Sequence, residues 1–170
     1  NAFYGCKSLY EIELPNTLEK LSKSAFAESG IRHITIPNGV ETIDVNAFFN
    51  CEQLESVALP DSLITIAKNA FSGCAKLTKI NLPENIDFIG TGAFSDCGSL
   101  TKITLPGSLT KLASAVFARC TALQEVYVNA KLISISARAF IECENLTKIE
   151  FAYDSELKTI GERAFLGCKA

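Results

Sequence analysis

The chain has 170 residues, of which 48% are hydrophobic and 21% are charged, and its formal net charge is −3. This is ample apolar material for a packed core, and the charge is too low for a disordered chain. A slightly acidic chain also argues against a nucleic-acid or anionic-membrane surface, which would need a basic stripe. No apolar run approaches the roughly 18 residues needed to span a bilayer.

A short motif recurs about every 23 residues along the whole sequence. An Ala-Phe or Val-Phe step is followed by Cys three residues after the Phe, and Ser29 takes the Cys position in one copy. A unit of this length cannot close a core alone, so the copies must bury their apolar faces against one another. The markers are Phe3/Cys6, Phe26/Ser29, Phe48/Cys51, Phe71/Cys74, Phe94/Cys97, Phe117/Cys120, Phe140/Cys143 and Phe165/Cys168.

A second motif, apolar-x-x-apolar-x-apolar and usually followed by Pro, lies between the markers. Its alternation predicts a short strand, and the Pro ends the strand because it has no N–H for the ladder. A short return segment then leads to the next marker Phe and predicts one helical or 3-10 turn. The predicted strand motifs begin at Leu9, Ile31, Leu54, Leu77, Leu100, Leu123 and Leu146.

These elements predict an α/β repeat solenoid with right-handed winding. The parallel β-sheet forms its concave face, and the short helical or 3-10 turns lie on its convex side. We expect residues 1–170 to form a single array of about seven repeats of 22–25 residues. Because the chain opens and closes inside a repeat, we interpret it as a piece of a longer protein, with both ends exposing core residues.

The seven cysteines occupy one phase of the repeat, which is neither a zinc motif nor a small disulfide framework. We expect a ladder of free, buried thiols that pack as small hydrophobic groups. Pairing between neighbouring rungs is the alternative, because a spacing of about 5 Å lies within the Cα range of disulfides. We also expect all eight marker phenylalanines to be buried.

The phase of these motifs resembles the BspA-like leucine-rich repeats, also called the Treponema pallidum type. Two copies match that family best, Ile89-Gly90 with Ala93-Phe94 and Cys97, and Ile160-Gly161 with Ala164-Phe165 and Cys168. The resemblance covers the whole chain and implies a leucine-rich-repeat arc. It also implies a secreted or cell-surface protein, commonly bacterial, that adheres to host matrix proteins or other cells. No binding residue transfers from the family, because its motif residues are structural.

The sequence offers little to an enzyme hypothesis. His33 is the only histidine, so no histidine pair is present for acid–base work. Glu11 and Glu13 lie on one predicted face, where a solvated surface is the simpler interpretation. No motif for a cofactor or a metal ion is present, and we expect none to be bound.

A protein partner would bind the outward positions of the predicted strands, which vary between repeats. Tyr127 is the one aromatic residue among them, and exposed Tyr is a common anchor of protein interfaces. Phe88 and the Tyr153-Asp154 turn are the exposed alternatives outside this face. The candidate partner-binding residues are Lys79, Asn81, Lys102, Thr104, Glu125, Tyr127 and Lys148.

The leading hypothesis is a non-enzymatic protein-binding module, a bacterial cell-surface adhesin for host matrix or other cell-surface proteins. No nucleic-acid partner is expected, and any membrane attachment would come from an anchor outside this chain. The alternatives are a structural spacer that presents another domain and the non-catalytic part of a larger enzyme.

Overall fold

Short parallel strands, stacked from one repeat to the next, build the fold in the computed structural model, which describes residues 1–128 and 131–169. The strands are β1 (His33–Thr35), β2 (Thr42–Ile43), β3 (Ser56–Ala58), β4 (Thr65–Ile66), β5 (Phe88–Ile89), β6 (Lys102–Leu105), β7 (Lys111–Leu112), β8 (Glu125–Val128), β9 (Ser134–Ile135), β10 (Lys148–Phe151) and β11 (Thr159–Ile160).

The strands form two parallel sheets that run along the solenoid. The first sheet contains five of the seven predicted strand motifs, as β1 and β3 and then β6, β8 and β10. The motifs that begin at Leu9 and Leu77 form no strand, and the second of them makes a single bridge, from Lys79 to Ser56. The second contains the two-residue strands, as β2, β4 and β5 and then β7, β9 and β11. In-register pairs such as Ile103 with Val126 place the same phase of each repeat side by side, which closes one continuous apolar core. The predicted parallel solenoid of leucine-rich-repeat type is therefore confirmed.

The predicted helical or 3-10 turns on the opposite side are wrong, because no helix is present in the described residues. The return segment forms a third hydrogen-bond ladder instead. Alternate N–H groups donate to the next repeat, as from Phe48 to the Ala70 carbonyl oxygen at 2.8 Å. The intervening N–H groups close tight turns within the repeat, as from Phe49 to the Asn46 carbonyl oxygen at 3.1 Å. A helix would need all of these donors for itself.

Left-handed backbone conformations set the shape of this turn ladder and also prevent a helix. Each turn from Ser24 onward has two such positions, for example Asn46 with φ 58° and Asn50 with φ 53°. Asn and Gly adopt this conformation most readily, whereas other residues pay a steric cost. In the described residues, the positive-φ positions that are neither Gly nor Asn are Ser24, Glu28, Asp96, Ala115, Arg119, Arg138, Glu142 and Arg163.

The marker phenylalanines stack in a single column behind the turn ladder. Neighbouring ring centroids lie 5.0–5.5 Å apart with nearly parallel planes. Burying each of the six inner rings contributes about 1.5–3 kcal/mol. The prediction that all eight are buried is wrong for Phe3 and Phe165, which are half-buried because each stacks on only one neighbouring ring.

All seven cysteines are free, but only five are buried; Cys6 is exposed and Cys168 is half-buried. The thiols also do more than fill space, because each of the six from Cys51 onward donates a hydrogen bond that the spacing did not predict. Cys97 Sγ lies 3.2 Å from the Phe71 carbonyl oxygen, which also accepts the Cys74 N–H. The cysteine ladder therefore satisfies the second lone pair of the marker Phe carbonyl in the preceding repeat.

Both sheets are interrupted together at one junction of the described repeats. Counted from their strand motifs, the repeats begin at residues 9, 31, 54, 77, 100, 123 and 146. Between the fourth and fifth repeats, neither the first nor the second sheet pairs, whereas the turn ladder continues from Phe94 to Val116 at 2.9 Å. We call this interrupted junction the seam.

Ala115→Gly should raise the free energy of unfolding by about 0.5–1 kcal/mol. Ala115 has φ 54°, where a β-carbon costs about 1–2 kcal/mol, and Gly returns part of this gain by making the unfolded chain more flexible. Ala113→Gly is the matched control, because Ala113 does not have a positive φ, and it should be destabilising. Chemical denaturation measures both, and equal effects of the two substitutions would contradict the strain assigned to Ala115.

In the folded protein at pH 8, a thiol reagent should modify Cys6 quickly, Cys168 slowly and the buried five only after unfolding. Burial raises the pKa of the Cys74, Cys97 and Cys120 thiols well above the ordinary value, and that of Cys143 to about 12. Their reactive thiolate forms are therefore scarce at this pH. Mass spectrometry should count seven labels after denaturation without reductant. A smaller number would show that rungs are paired.

Candidate functional site

The predicted partner-binding residues lie on the outer side of the first sheet, which we call the first-sheet face. Lys79, Asn81, Lys102 and Thr104 are exposed, as is Lys148. Alternation in the strands explains this, since the residues between them, such as Ile103 and Val126, are buried. Glu125 and Tyr127 are half-buried, which shows that neighbouring side chains cover them.

Tyr127 is held between two lysines rather than left free as an anchor. In the first sheet Lys102, Glu125 and Lys148 form one row, and Thr104, Tyr127 and Glu150 form the next. Lys102 Nζ lies 4.2 Å from the centre of the Tyr127 ring and Lys148 Nζ lies 4.9 Å from it. Both distances are within the range of cation–π attraction.

Two carboxylates neutralise these lysines within the same group of side chains. The Tyr127 hydroxyl donates to Glu125 Oε2 at 2.8 Å, and Lys102 Nζ lies 3.7 Å from that oxygen. Lys148 Nζ lies 2.7 Å from Glu150 Oε2, and Glu150 followed by Tyr127 raises the pKa of Lys148 above its ordinary value. Tyr127 and these four charged neighbours form what we call the tyrosine cluster. It presents a preordered surface with balanced charge.

Lys79 and Asn81 lie apart from the tyrosine cluster, across the seam. The segment 77–82 makes one bridge with the preceding repeat, at Ser56, and does not pair with β6. A crevice of about 350 Å³ opens between them on the first-sheet face. The predicted site residues are thus divided into two groups, with Lys102 and Thr104 bordering both. The crevice is lined by Thr78, Lys79, Ile80, Asn81, Leu82, Thr101, Lys102 and Thr104.

The first-sheet face also brings a serine, a histidine and a carboxylate together. His33 Nδ1 lies 2.9 Å from Ser56 Oγ, and His33 Nε2 lies 3.9 Å from Glu55 Oε2. Hydrolases that use such residues also need free backbone donors for an oxyanion. Here the Glu55 and Ser56 N–H groups both donate to the Arg32 carbonyl oxygen, at 2.8 and 3.3 Å. The arrangement therefore has the polar contacts of a surface network without a preorganised oxyanion site at these amides.

The two aromatic residues that were predicted to be exposed outside this face, Phe88 and Tyr153, are exposed in the structure. Phe88 is 53% exposed in β5, at the edge of the second sheet beside the seam, and Tyr153 is fully exposed in a turn after β10. The tyrosine cluster includes Glu150, which was not among the predicted site residues. Its register beside Tyr127 was the signal that could have identified it.

The part of the chain that the structure describes contains no group of three or more His, Cys, Asp or Glu side chains placed to hold a metal ion. None of the residues in 1–128 and 131–169 belongs to a helix of the length and apolarity needed to cross a bilayer.

Stacked short parallel strands with apolar residues at one phase define a leucine-rich-repeat solenoid, the class of protein to which this fold belongs. Within that class, the chain belongs to the family of the BspA type leucine rich repeat region, whose model matches six copies over residues 1–66 and 41–170. No protein of curated function matches the sequence at a significant level.

Solved structures of bacterial proteins share the fold. The leucine-rich repeat protein of T. pallidum is 28% identical, covers 92% of this chain and 75% of its own, and has a TM-score of 0.83. A leucine-rich repeat protein from Bacteroides ovatus is 29% identical, with coverages of 98% and 54% and a TM-score of 0.58. A leucine rich cell surface protein of Faecalibacterium prausnitzii, at 24% identity, covers 98% and 60%, with a TM-score of 0.54. This chain therefore spans about half of the B. ovatus protein.

Tyr127→Leu should lower the free energy of unfolding by about 1–2 kcal/mol, because it removes two cation–π contacts of about 0.5–1 kcal/mol each. Tyr127→Phe is the control, since it keeps both ring faces and loses only the hydroxyl, which donates to Glu125 at 2.8 Å and accepts from Lys148 Nζ at 3.4 Å. Urea denaturation measures both. Equal losses for the Leu and Phe variants would assign the stability of the cluster to the hydroxyl group instead of the ring.

Proposed function

We propose that the chain is a non-enzymatic protein-binding module of a bacterial cell-surface protein, which adheres to host matrix or other cell-surface proteins. Leucine-rich repeats generally mediate protein binding, which supports the first part of this proposal. The cell-surface description of the F. prausnitzii relative, which has the same fold, supports the second. The adhesion to host proteins extends the family resemblance to this chain.

The tyrosine cluster is the observation that carries the choice of surface. Its side chains are already held by one another and by rigid paired strands, so little conformational entropy is lost when a partner binds. The cluster offers the half-buried ring edge of Tyr127 together with charges of both signs. Interfaces favour such aromatic residues surrounded by polar groups that pair with the partner.

A structural spacer is the second candidate, and a different observation favours it. The turn ladder and a continuous Phe column connect all successive repeats, which suits a rigid arm that holds another domain at a distance. A spacer would tolerate changes anywhere on the first-sheet face that preserve the fold. The two functions are therefore separated by the effect of surface substitutions on binding.

The double variant Tyr127→Ala with Lys102→Ala should weaken binding to a purified host matrix protein by more than about 1 kcal/mol, or about fivefold. Neither residue belongs to the core, so the variant should keep its far-UV circular dichroism spectrum. Biolayer interferometry with a panel of immobilised matrix proteins measures the binding.

The matched control is Phe88→Ala with Tyr153→Ala, which removes two exposed aromatic residues outside the first-sheet face. It should bind like the parent protein. If the control pair abolishes binding and the cluster variant does not, the binding surface is wrong. If no matrix or cell-surface protein binds the parent, the spacer function is favoured.

A further inference from the structure

The seam is the one junction in the described repeats where both sheets are unpaired. The first sheet stops at the segment 77–82 and resumes at β6, and the second stops at β5 and resumes at β7. The turn ladder still crosses the seam, with the Gly92 N–H donating to the Ser114 carbonyl oxygen at 3.0 Å. The repeats on either side are therefore joined firmly at the turns and left open at the sheets.

Open backbone donors face the crevice at the seam. In the next repeat, the Glu125 N–H donates to the Thr101 carbonyl oxygen at 3.4 Å. In β6, Lys102 and Thr104 occupy the positions that Glu125 and Tyr127 occupy in β8. The N–H groups of Lys102 and Thr104 have no corresponding acceptor in the segment 77–82. Unpaired strand edges of this kind are sites where extended peptide segments can add hydrogen bonds.

Like charges oppose pairing of the first-sheet strands at this junction. Lys79 and Lys102 occupy the same outward phase of adjacent repeats, and in this row only these two neighbours share a charge of the same sign. Like charges directly opposite each other destabilise strand pairing. Lys102 Nζ lies 3.7 Å from Glu125 Oε2 in the tyrosine cluster. None of the ion pairs among the described residues includes Lys79.

We propose that the seam binds an extended acidic segment of a protein partner, whose carboxylate bridges Lys79 and Lys102 and draws the two strand edges together. Thr78, Thr101 and Thr104 also line the crevice, so neutral hydroxyl-bearing side chains accompany the two lysines. This inference rests on the proposed protein-binding function and names the chemistry of the partner. The turn ladder stays bonded and serves as the pivot for closure.

Amide hydrogen exchange followed by NMR tests the proposal, with an acetylated, amidated glutamate octapeptide as the probe. In the free protein at low salt, the Lys102 and Thr104 amides should exchange at least tenfold faster than the equivalent Glu125 and Tyr127 amides. Saturating peptide should slow the Lys102 and Thr104 amides at least fivefold, and 0.5 M salt should reverse this slowing.

Lys79→Glu supplies the bridging carboxylate within the chain. It should slow the Lys102 and Thr104 amides without any peptide and remove the response to the peptide. Lys68→Glu makes the same change of charge at an exposed position of the turn region and should behave like the parent protein. A parent protein that does not respond to the peptide, or a Lys79→Glu variant that responds as the parent does, overturns the proposal.

Other occupants give different results, and each would overturn the assignment to a partner protein. Equal slowing by a heparin oligosaccharide would indicate a site for polyanions in general. Slowing that depends only on protein concentration would indicate a second copy of the chain.

The proposed function and this inference fail separately. If the parent binds no matrix or cell-surface protein but the peptide closes the seam, the adhesion function is wrong and the seam site stands. If matrix binding depends on Tyr127 and is unchanged in Lys79→Glu, the partner uses the tyrosine cluster alone and the seam inference is wrong.

Discussion

Every other feature of this protein depends on the lateral registration of one repeat on the next. Because the strands are parallel and in register, each position of a repeat lies beside the same position of its neighbours. A Phe therefore meets a Phe, a thiol lies above the preceding Phe carbonyl, and an outward lysine lies beside whatever residue has the same phase. The core benefits from this repetition, whereas like charges at one outward phase oppose strand pairing.

Unfavourable left-handed backbone conformations occur in the turns, where they allow the hydrogen bonds that keep neighbouring repeats in register. Eleven non-glycine residues in the described part of the chain have positive φ, and they recur at two positions of the turn. This conformation directs alternate N–H groups to the next repeat, where they form the ladder that continues across the seam. The cost at each residue is offset by an inter-repeat hydrogen bond and by the Phe column behind it.

The first-sheet face illustrates how surface charge acts on the same framework. In the row that contains Lys102, Glu125 and Lys148, opposite charges alternate, the strands pair, and Tyr127 is held between the lysines. One repeat earlier, Lys79 has the same phase as Lys102, no carboxylate lies between them in the row, and the first sheet does not pair. The first-sheet face is thus a closed, preordered surface where charges alternate and an open crevice where two lysines are adjacent.

Much of this fold could be predicted from the sequence by itself, because in a regular repeat the place of a residue within the repeat determines its place in the solenoid. The period, the strand motifs, the inward Phe and Cys and the outward Lys102 and Tyr127 all follow from counting along the chain. The conformation of the return segment did not follow, since a few residues between two apolar anchors fit a helical turn and a ladder equally well. Only the neighbouring repeat, by accepting alternate N–H groups, decided between them. The tyrosine cluster and the seam likewise required the tertiary structure, because side-chain contacts and strand pairing depend on distances between repeats that the order of residues does not contain.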